Sequence, residues 1–305
     1  MKKESEEYKY HNPVLLKESI EGLDIKPDGI YVDVTFGGGG HSRKILEKLN
    51  ENGKLFAFDQ DIDAKANLFD DKRLCFIKQN FRHLERFLKL YKIKEVDGVL
   101  ADLGISSYQI DTPERGFSIR YNGPLDMRMD EDGKTTAQDV INHYTEQELA
   151  DVFYNYGELR NARKLARAIA SQRSKTTIRT IDDLKVLVNP LVHGNKMKVL
   201  AQIFQALRIE VNEELDALKQ LLPQTTKVIK KSGRLVVISY HSLEDRFVKN
   251  FIRSGNLSNI PDKDIYGNFS TPFKAVNRKV ICPTEQEISS NPRARSAKMR
   301  IAEKL

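Results

Sequence analysis

Little in this sequence points to chemistry carried by sulfur or by a metal. Two cysteines occur in 305 residues, Cys75 and Cys282, far apart and outside any CxxC or Cys/His cluster. That argues against a zinc site or a disulfide framework and fits a reducing cytoplasm. No apolar run approaches the roughly 20 residues that a membrane helix needs, so no membrane partner is expected. The first ten residues, MKKESEEYKY, are charged and lack an apolar stretch, which argues against a signal peptide. Internal repeats and long low-complexity segments are missing, as is any Ser/His/Asp or Cys/His pattern of a covalent nucleophile.

What remains is an ordinary globular composition with a basic excess. Hydrophobic residues make up 40%, and 50 Lys and Arg against 43 Asp and Glu give a formal charge of +7. A chain of this length accommodates one large α/β domain and a smaller one. The charge is compatible with a polyanionic partner, because Lys and Arg displace counterions from phosphate, but by itself it is equally compatible with a soluble enzyme that happens to be basic.

Short β-rich runs alternate with helical ones over the first third. Strands are predicted at 30–35, 54–58, 74–78 and 98–101, with helical stretches at 41–49, 61–69 and 83–90 between them, a pattern that predicts βαβ units and a parallel sheet. The pattern then breaks. Residues 105–132 are rich in Gly, Pro, Asp and Arg without a clear period. Two helices are predicted within 136–173 and a third over 180–192. Val199 starts a long amphipathic helix whose apolar face runs through Leu200, Ile203, Phe204, Leu207, Val211, Leu215 and Leu218. A strand at 234–239, a helix at 243–252 and a late strand at 297–301 return to the sheet, and the polar stretch 256–271 reads as a mobile loop. The expected organisation is an α/β, Rossmann-like sheet domain from 1–111 and 198–305, interrupted by a helical insertion over 112–197.

The sharpest constellation is Asp33-Val-Thr-Phe-Gly37-Gly-Gly39-Gly40-His41. A carboxylate closes the first strand and a glycine turn follows, where the backbone can adopt positive φ and a ligand can approach without meeting a Cβ. A dinucleotide fingerprint would want a third small residue near position 42, which is Ser42. The carboxylate of Asp33 would also repel a pyrophosphate at the following helix N-terminus, whereas it would attract an ammonium or sulfonium. S-adenosyl-L-methionine carries both, and is the expected cofactor. Asp59 ends the second strand, 26 residues after Asp33, where an acid can accept hydrogen bonds from both ribose hydroxyls. Its plainer reading is a cap for the next helix. Phe81 follows the third strand and could pack on an adenine face, although such a residue is more often simply core.

Asp102-Leu-Gly104-Ile-Ser-Ser107-Tyr-Gln109 follows the fourth strand, beside the expected methyl group. Asp102, or a carbonyl next to it, could accept hydrogen bonds from an amine as positive charge develops on nitrogen. Basic residues cluster in loops around Arg115, around Arg128, and at Arg293, Arg295, Lys298 and Arg300. Bidentate arginines suit phosphate, so Arg115, Arg128, Arg293 and Arg295 are candidate RNA contacts, with solvated surface charge as the plain alternative for each. His241 and Arg246 follow the fifth predicted strand and are further candidates, although Ser242 and Asp245 also fit a helix-capping pattern.

These blocks resemble a known family. His11–Glu18, Asp33–Ser42, Asp102–Asp111, Arg115–Ser118, Gly123–Met129, Phe204–Leu215, Gly233–Arg246 and Asn291–Arg300 are similar, in collinear order over nearly the whole chain, to the bacterial 16S rRNA (cytosine-N4) methyltransferases of the MraW type. The resemblance implies a methyltransferase sheet with an inserted helical domain. It also implies N4-methylation of a cytidine in the decoding region of 16S rRNA or the small ribosomal subunit, in the cytoplasm. Carried over position by position, it implies cofactor contacts at Gly39, Gly40, His41, Asp59, Phe81, Asp102 and Gln109, to which the residue reading adds Asp33 and Gly37. A departure stands before Phe204, where the family commonly has His-Pro-Ala-Thr-Arg and this chain has Lys198-Val-Leu-Ala-Gln202. The contacts made there are in question. No metal is expected, and a homodimer is left open.

Other functional classes fit less well. A ribosome-assembly factor that merely binds RNA would not need Asp33, the glycine turn, Asp59 and Asp102 all intact. DNA amino-methyltransferases usually carry a Pro-Pro-aromatic motif where this chain has Asp102-Leu-Gly-Ile. A nicotinamide-dependent oxidoreductase is disfavoured by Asp33 and Ser42.

Overall fold

A computed structural model describes residues 13–192, 194–261, 266 and 270–305. The chain forms two compact units, one built from the described residues up to Gly104 and from Leu218 onward, the other from Ile105–Ala217. The compositional reading drew its boundaries seven residues later at the first junction and about twenty earlier at the second.

The first unit carries α1 (Leu16–Leu23), β1 (Ile30–Asp33), α2 (Gly40–Lys48), β2 (Lys54–Asp59), β3 (Leu74–Lys78), α3 (Leu84–Leu90) and β4 (Val96–Asp102). The second carries α4 (Ser107–Asp111), α5 (Ala137–His143), α6 (Glu146–Asn155), α7 (Ala162–Arg173), α8 (Ile181–Val188) and α9 (Lys196–Asn212), and α10 (Glu214–Val228) begins there. After α10 the first unit resumes with β5 (Ile229–Ser239), α11 (Ser242–Ser254), β6 (Phe273–Ala275), α12 (Glu285–Ser290) and β7 (Lys298–Lys304).

The seven strands form one sheet in the order β3-β2-β1-β4-β5-β7-β6. Strands β1 to β5 run parallel, and β7 lies antiparallel to β5 and to β6. Six of the seven residues of β4 are buried, as expected for a central parallel strand covered on both faces. Tyr31, Leu55 and Leu100 pack with α1 and α2 residues in one core cluster, and Val32, Phe58 and Val99 pack with α3, α10 and α11 residues in another. The order β3-β2-β1-β4-β5 is that of a doubly wound Rossmann-like sheet, whose ligand crevice lies at the carboxyl ends of the strands where the order reverses, here between β1 and β4.

The long helix predicted from Val199 is two helices. The chain turns at Glu213, whose φ of 49° lies in the left-handed region, so Leu215 and Leu218 belong to α10 rather than to the face of α9. Apolar spacing did not reveal this break, because both helices bury residues at similar intervals. The stretch predicted helical over 61–69 is a 3₁₀ segment, Ile62–Asn67, capped by Asp61. The short strand β6 had no sequence signal. Of the predicted loop 256–271, residues 262–265 and 267–269 lie outside the described residues, as do His11 and Asn12 of the first family-like block.

Replacing Leu100, which is fully buried in β4, by Ala should cost roughly 2–5 kcal/mol of stability, measurable by urea denaturation. A smaller loss would mean that the centre of the sheet is less tightly packed than described.

Candidate active site

Parallel register sets three acids on one edge. Asp33 pairs with Ala57 of β2 and Leu100 of β4, and Asp59 and Asp102 end those two strands two residues further on. The carboxylates of β2, β1 and β4 therefore stand side by side at the carboxyl end, around the point where the strand order reverses.

Asp33 lies beneath the glycine turn rather than in it. It has no exposed surface. One oxygen accepts from the Ser42 hydroxyl at 2.7 Å and the other from the Thr35 backbone N–H at 3.1 Å. Burial pushes its carboxyl above the usual range, against the pull of these donors. Asp33, expected at the cofactor, has no open surface and braces the turn through these two bonds. Ser42, read from sequence only as evidence against a dinucleotide, is the brace's partner.

The turn needs its glycines for two reasons. Gly37 and Gly39 have φ of 51° and 74°, the region where a Cβ is strained. A Cβ on Gly39 would also come 2.9 Å from the Phe36 ring, whereas one on Gly38 would meet nothing within 4 Å. The turn is thus packed on one side and open on the other. Gly40 opens α2.

Asp59 supports the same turn from β2. Its Oδ2 accepts from the Gly37 N–H at 2.8 Å and its Oδ1 from the Asp61 N–H at 2.9 Å. Burial pushes its carboxyl up to about 7, with the neighbouring Asp61 and Asp33 adding to the effect. Each oxygen keeps a lone pair for a hydroxyl donor. The helix cap foreseen as the alternative falls to Asp61 instead.

Asp102 is held from three sides. Its backbone N–H donates to Thr35 Oγ1 at 2.7 Å, and the Tyr240 hydroxyl donates to its Oδ1 at 2.8 Å. His41 Nδ1 lies 3.8 Å from its Oδ2. His41 is itself buried, with Nε2 at 3.2 Å from the Val14 carbonyl. A carbonyl can only accept, so Nε2 carries the proton and Nδ1 presents a lone pair. Burial brings the imidazole pKa down to about 4, so the contact with Asp102 is a close approach and not an ion pair. Asp102 is pushed up to about 7 by burial, partly offset by the Tyr240 donor and reinforced by the charges of Asp33 and Glu244. About a fifth of its side chain remains exposed.

Tyr240, Thr35 and Glu244 escaped the sequence reading. Tyr240 follows the last residue of β5 just as the turn follows Asp33, and that position was its only available signal. The predicted cap of α11 is shifted by one residue: His241 is the N-cap, its side chain accepting from the Glu244 N–H while Glu244 Oε2 accepts from the backbone N–H of Tyr240 and His241. His241, expected at RNA, thus serves as the N-cap of this helix. Arg246 is exposed on α11, and Arg295 is exposed beside the half-buried Arg293. Arg300 forms a bidentate pair with Asp245. Phe81 is half-buried in a single 3₁₀ turn against the second core cluster.

Three further expectations fall in the helical unit. Gln109 is buried and completes a capping box with Ser106 at the start of α4. Arg115 is buried, its guanidinium donating to the carbonyls of Arg128 and Met129. Arg128 makes a bidentate pair with Asp126 and donates to the carbonyls of Glu131 and Gly133. These two arginines clamp the Gly/Pro-rich segment, whose irregular backbone leaves carbonyls that need donors. Both were expected at RNA, and both spend guanidinium donors on carbonyls of their own unit.

Fold and site together define a Rossmann-like α/β enzyme whose crevice is lined by carboxylates rather than by anion-binding amides. The model of the MraW methylase family matches residues 8–305. A relative from Christiangramia forsetii, "Ribosomal RNA small subunit methyltransferase H", is 57% identical over 97% of this chain and 98% of its own length. One of the same name from Bacteroides thetaiotaomicron is 54% identical over 99% of both. The crystal structure of an rRNA methylase from Streptococcus thermophilus covers 97% of this chain and 99% of its own at 11% identity, with a TM-score of 0.43, a loose likeness. The chain belongs to the MraW methylase family. It is an S-adenosylmethionine-dependent methyltransferase.

The site fits that cofactor: two carboxylates at the edge offer negative charge, and the turn is open at Gly38. Asp59 and Asp102, both titrating at about 7, become neutral as the pH falls. Affinity for the sulfonium donor should therefore drop between about pH 8 and 6, and by more than that for its uncharged thioether product. Titration calorimetry of both ligands across that range tests this, and parallel pH curves would remove the carboxylates from sulfonium recognition.

Proposed function

We propose that this enzyme transfers a methyl group to the N4 amine of a cytidine in the decoding region of 16S ribosomal RNA, in the cytoplasm. The observation that carries the reading is Asp102, a half-buried carboxylate at the carboxyl end of β4 with one oxygen held by Tyr240. The relatives' names, which specify the small-subunit ribosomal RNA, support the substrate class. No helix among the described residues is long and apolar enough to cross a membrane.

The exocyclic amine of cytosine is a poor nucleophile, because its lone pair is delocalised into the ring. S-adenosylmethionine, when bound, supplies a methyl group activated by sulfonium. The protein's task is to line up the amine with that group and to favour the charge that develops on nitrogen. Asp102 Oδ2 does so by accepting a hydrogen bond from the amine. Asp59 holds ribose hydroxyls and also the Gly37 N–H, so cofactor binding and turn geometry depend on one side chain.

The helical unit, Ile105–Ala217, serves in this reading as an RNA-holding domain inserted in the catalytic one. Support comes from α7, whose outer face exposes Arg163, Lys164 and Arg167 opposite the buried Ala162, Leu165, Ala166 and Ile169. Arg163 and Lys164 stand one helical turn from Arg167, a cluster of cations that suits a phosphate backbone.

Asp102→Ala should lower methyl transfer to small-subunit RNA by about a hundredfold or more while leaving the fold intact. Mass-spectrometric nucleoside analysis of 16S rRNA from cells lacking the gene, complemented with either form, reads the modified base directly. Restoration of N4-methylcytidine by the variant would remove Asp102 from the mechanism. Asp59→Ala should weaken cofactor affinity by about tenfold or more, and unchanged calorimetric affinity would refute the ribose assignment.

A further inference from the structure

We infer that Tyr240 is a positioning residue for methyl transfer: by donating to Asp102 Oδ1 at 2.8 Å, its hydroxyl fixes the carboxylate so that Oδ2 is the oxygen left to accept from the amine. The inference rests on the reading of Asp102 as that acceptor and names the residue that orients it.

The geometry around the pair is over-determined. Tyr240 is fixed through its backbone N–H, which donates to Glu244 Oε2 at 2.9 Å, and Glu244 is buried in the capping box that starts α11. Its ring lies against Gly104, at 3.3 Å from where a Cβ would stand, and Gly104 has a φ of 105°. The glycine two residues beyond Asp102 thus makes room for the ring. Asp102 is tied on its other side through its N–H to Thr35, and Thr35 is tied to the buried Asp33. The carboxylate can still turn about χ1 and χ2, and the bond from the phenol restrains both.

Hydrogen-bond direction follows from the groups that face Asp102. These are Asp33 from β1, Thr35 from the turn, neutral His41 from α2, Tyr240 and, further off, Glu244 from α11. Burial and the carboxylates hold the phenol far above its ordinary pKa, so it remains an O–H and always donates. Apart from Tyr240, no side chain in the set donates to the Asp102 carboxylate. His41 Nδ1 offers a lone pair, which disfavours a charged Oδ2 there until a donor arrives. An amine N–H is such a donor.

Tyr240→Phe removes the O–H and keeps the ring on Gly104. Because the lost donor stabilised the charged carboxylate, the Asp102 titration should move to higher pH by about one unit, and the acidic limb of the kcat profile should move with it. At about pH 9, where Asp102 is ionised in both forms, the kcat for small-subunit RNA should still fall about tenfold or more, with KM for the cofactor nearly unchanged. Replacing Tyr240 by 3-fluorotyrosine, a stronger donor with the same packing, should move the titration the other way. The carboxyl carbon of Asp102, assigned by its loss in Asp102→Asn, reports the titration by 13C NMR without turnover. A titration that stays put in both variants, or a kcat that does not fall in Tyr240→Phe, overturns the inference. Absence of methyl transfer to small-subunit RNA by the unaltered enzyme, alongside a shifted titration, would instead overturn the function proposed above.

Discussion

The crevice depends on a fully buried carboxylate. Asp33 has no exposed surface, and Ser42 and Thr35 donate to its two oxygens against the desolvation that pushes its carboxyl up. Those bonds set the path of the chain from β1 into α2, and Thr35 in turn receives the Asp102 N–H. One buried acid thus fixes the turn and the start of the segment after β4. Burial of a carboxyl is costly, and hydrogen bonds of this kind offset part of that cost.

Asp59 and Asp102 show the complementary arrangement. Both are pushed up to about 7 by burial, as Asp33 is pushed up, but both keep part of their surface open at the strand ends. Without a ligand such carboxylates work against the folded state once the pH rises toward that value. A cation relieves the same strain. The edge is therefore set to bind positive charge, in contrast to dinucleotide-binding sheets, where the helix N-terminus faces a pyrophosphate. This difference follows from which residue type ends the strand.

Arginines illustrate how far composition can mislead. Arg115 and Arg128 sit in a Gly/Pro-rich stretch, a setting that suggested exposed loops reaching for phosphate. The irregular backbone needs internal donors, and the two guanidinium groups supply them. Arg163, Lys164 and Arg167 of α7 are exposed and carry no motif. Their exposure follows from helical phase, since Ala162, Leu165, Ala166 and Ile169 face the core of the helical unit.

The sequence by itself determined the parallel sheet, the glycine turn and the three strand-ending acids, because period, strand-end position and glycine content are local properties of the chain. It also determined the family through collinear blocks. Only the tertiary structure decided which acid is a brace and which faces the crevice, since that depends on burial and on donors distant in sequence. The Tyr240–Asp102 bond joins residues 138 positions apart, and the turn at Glu213 interrupts an unbroken apolar pattern. Neither leaves a local trace, because both depend on how elements meet rather than on what each prefers to be.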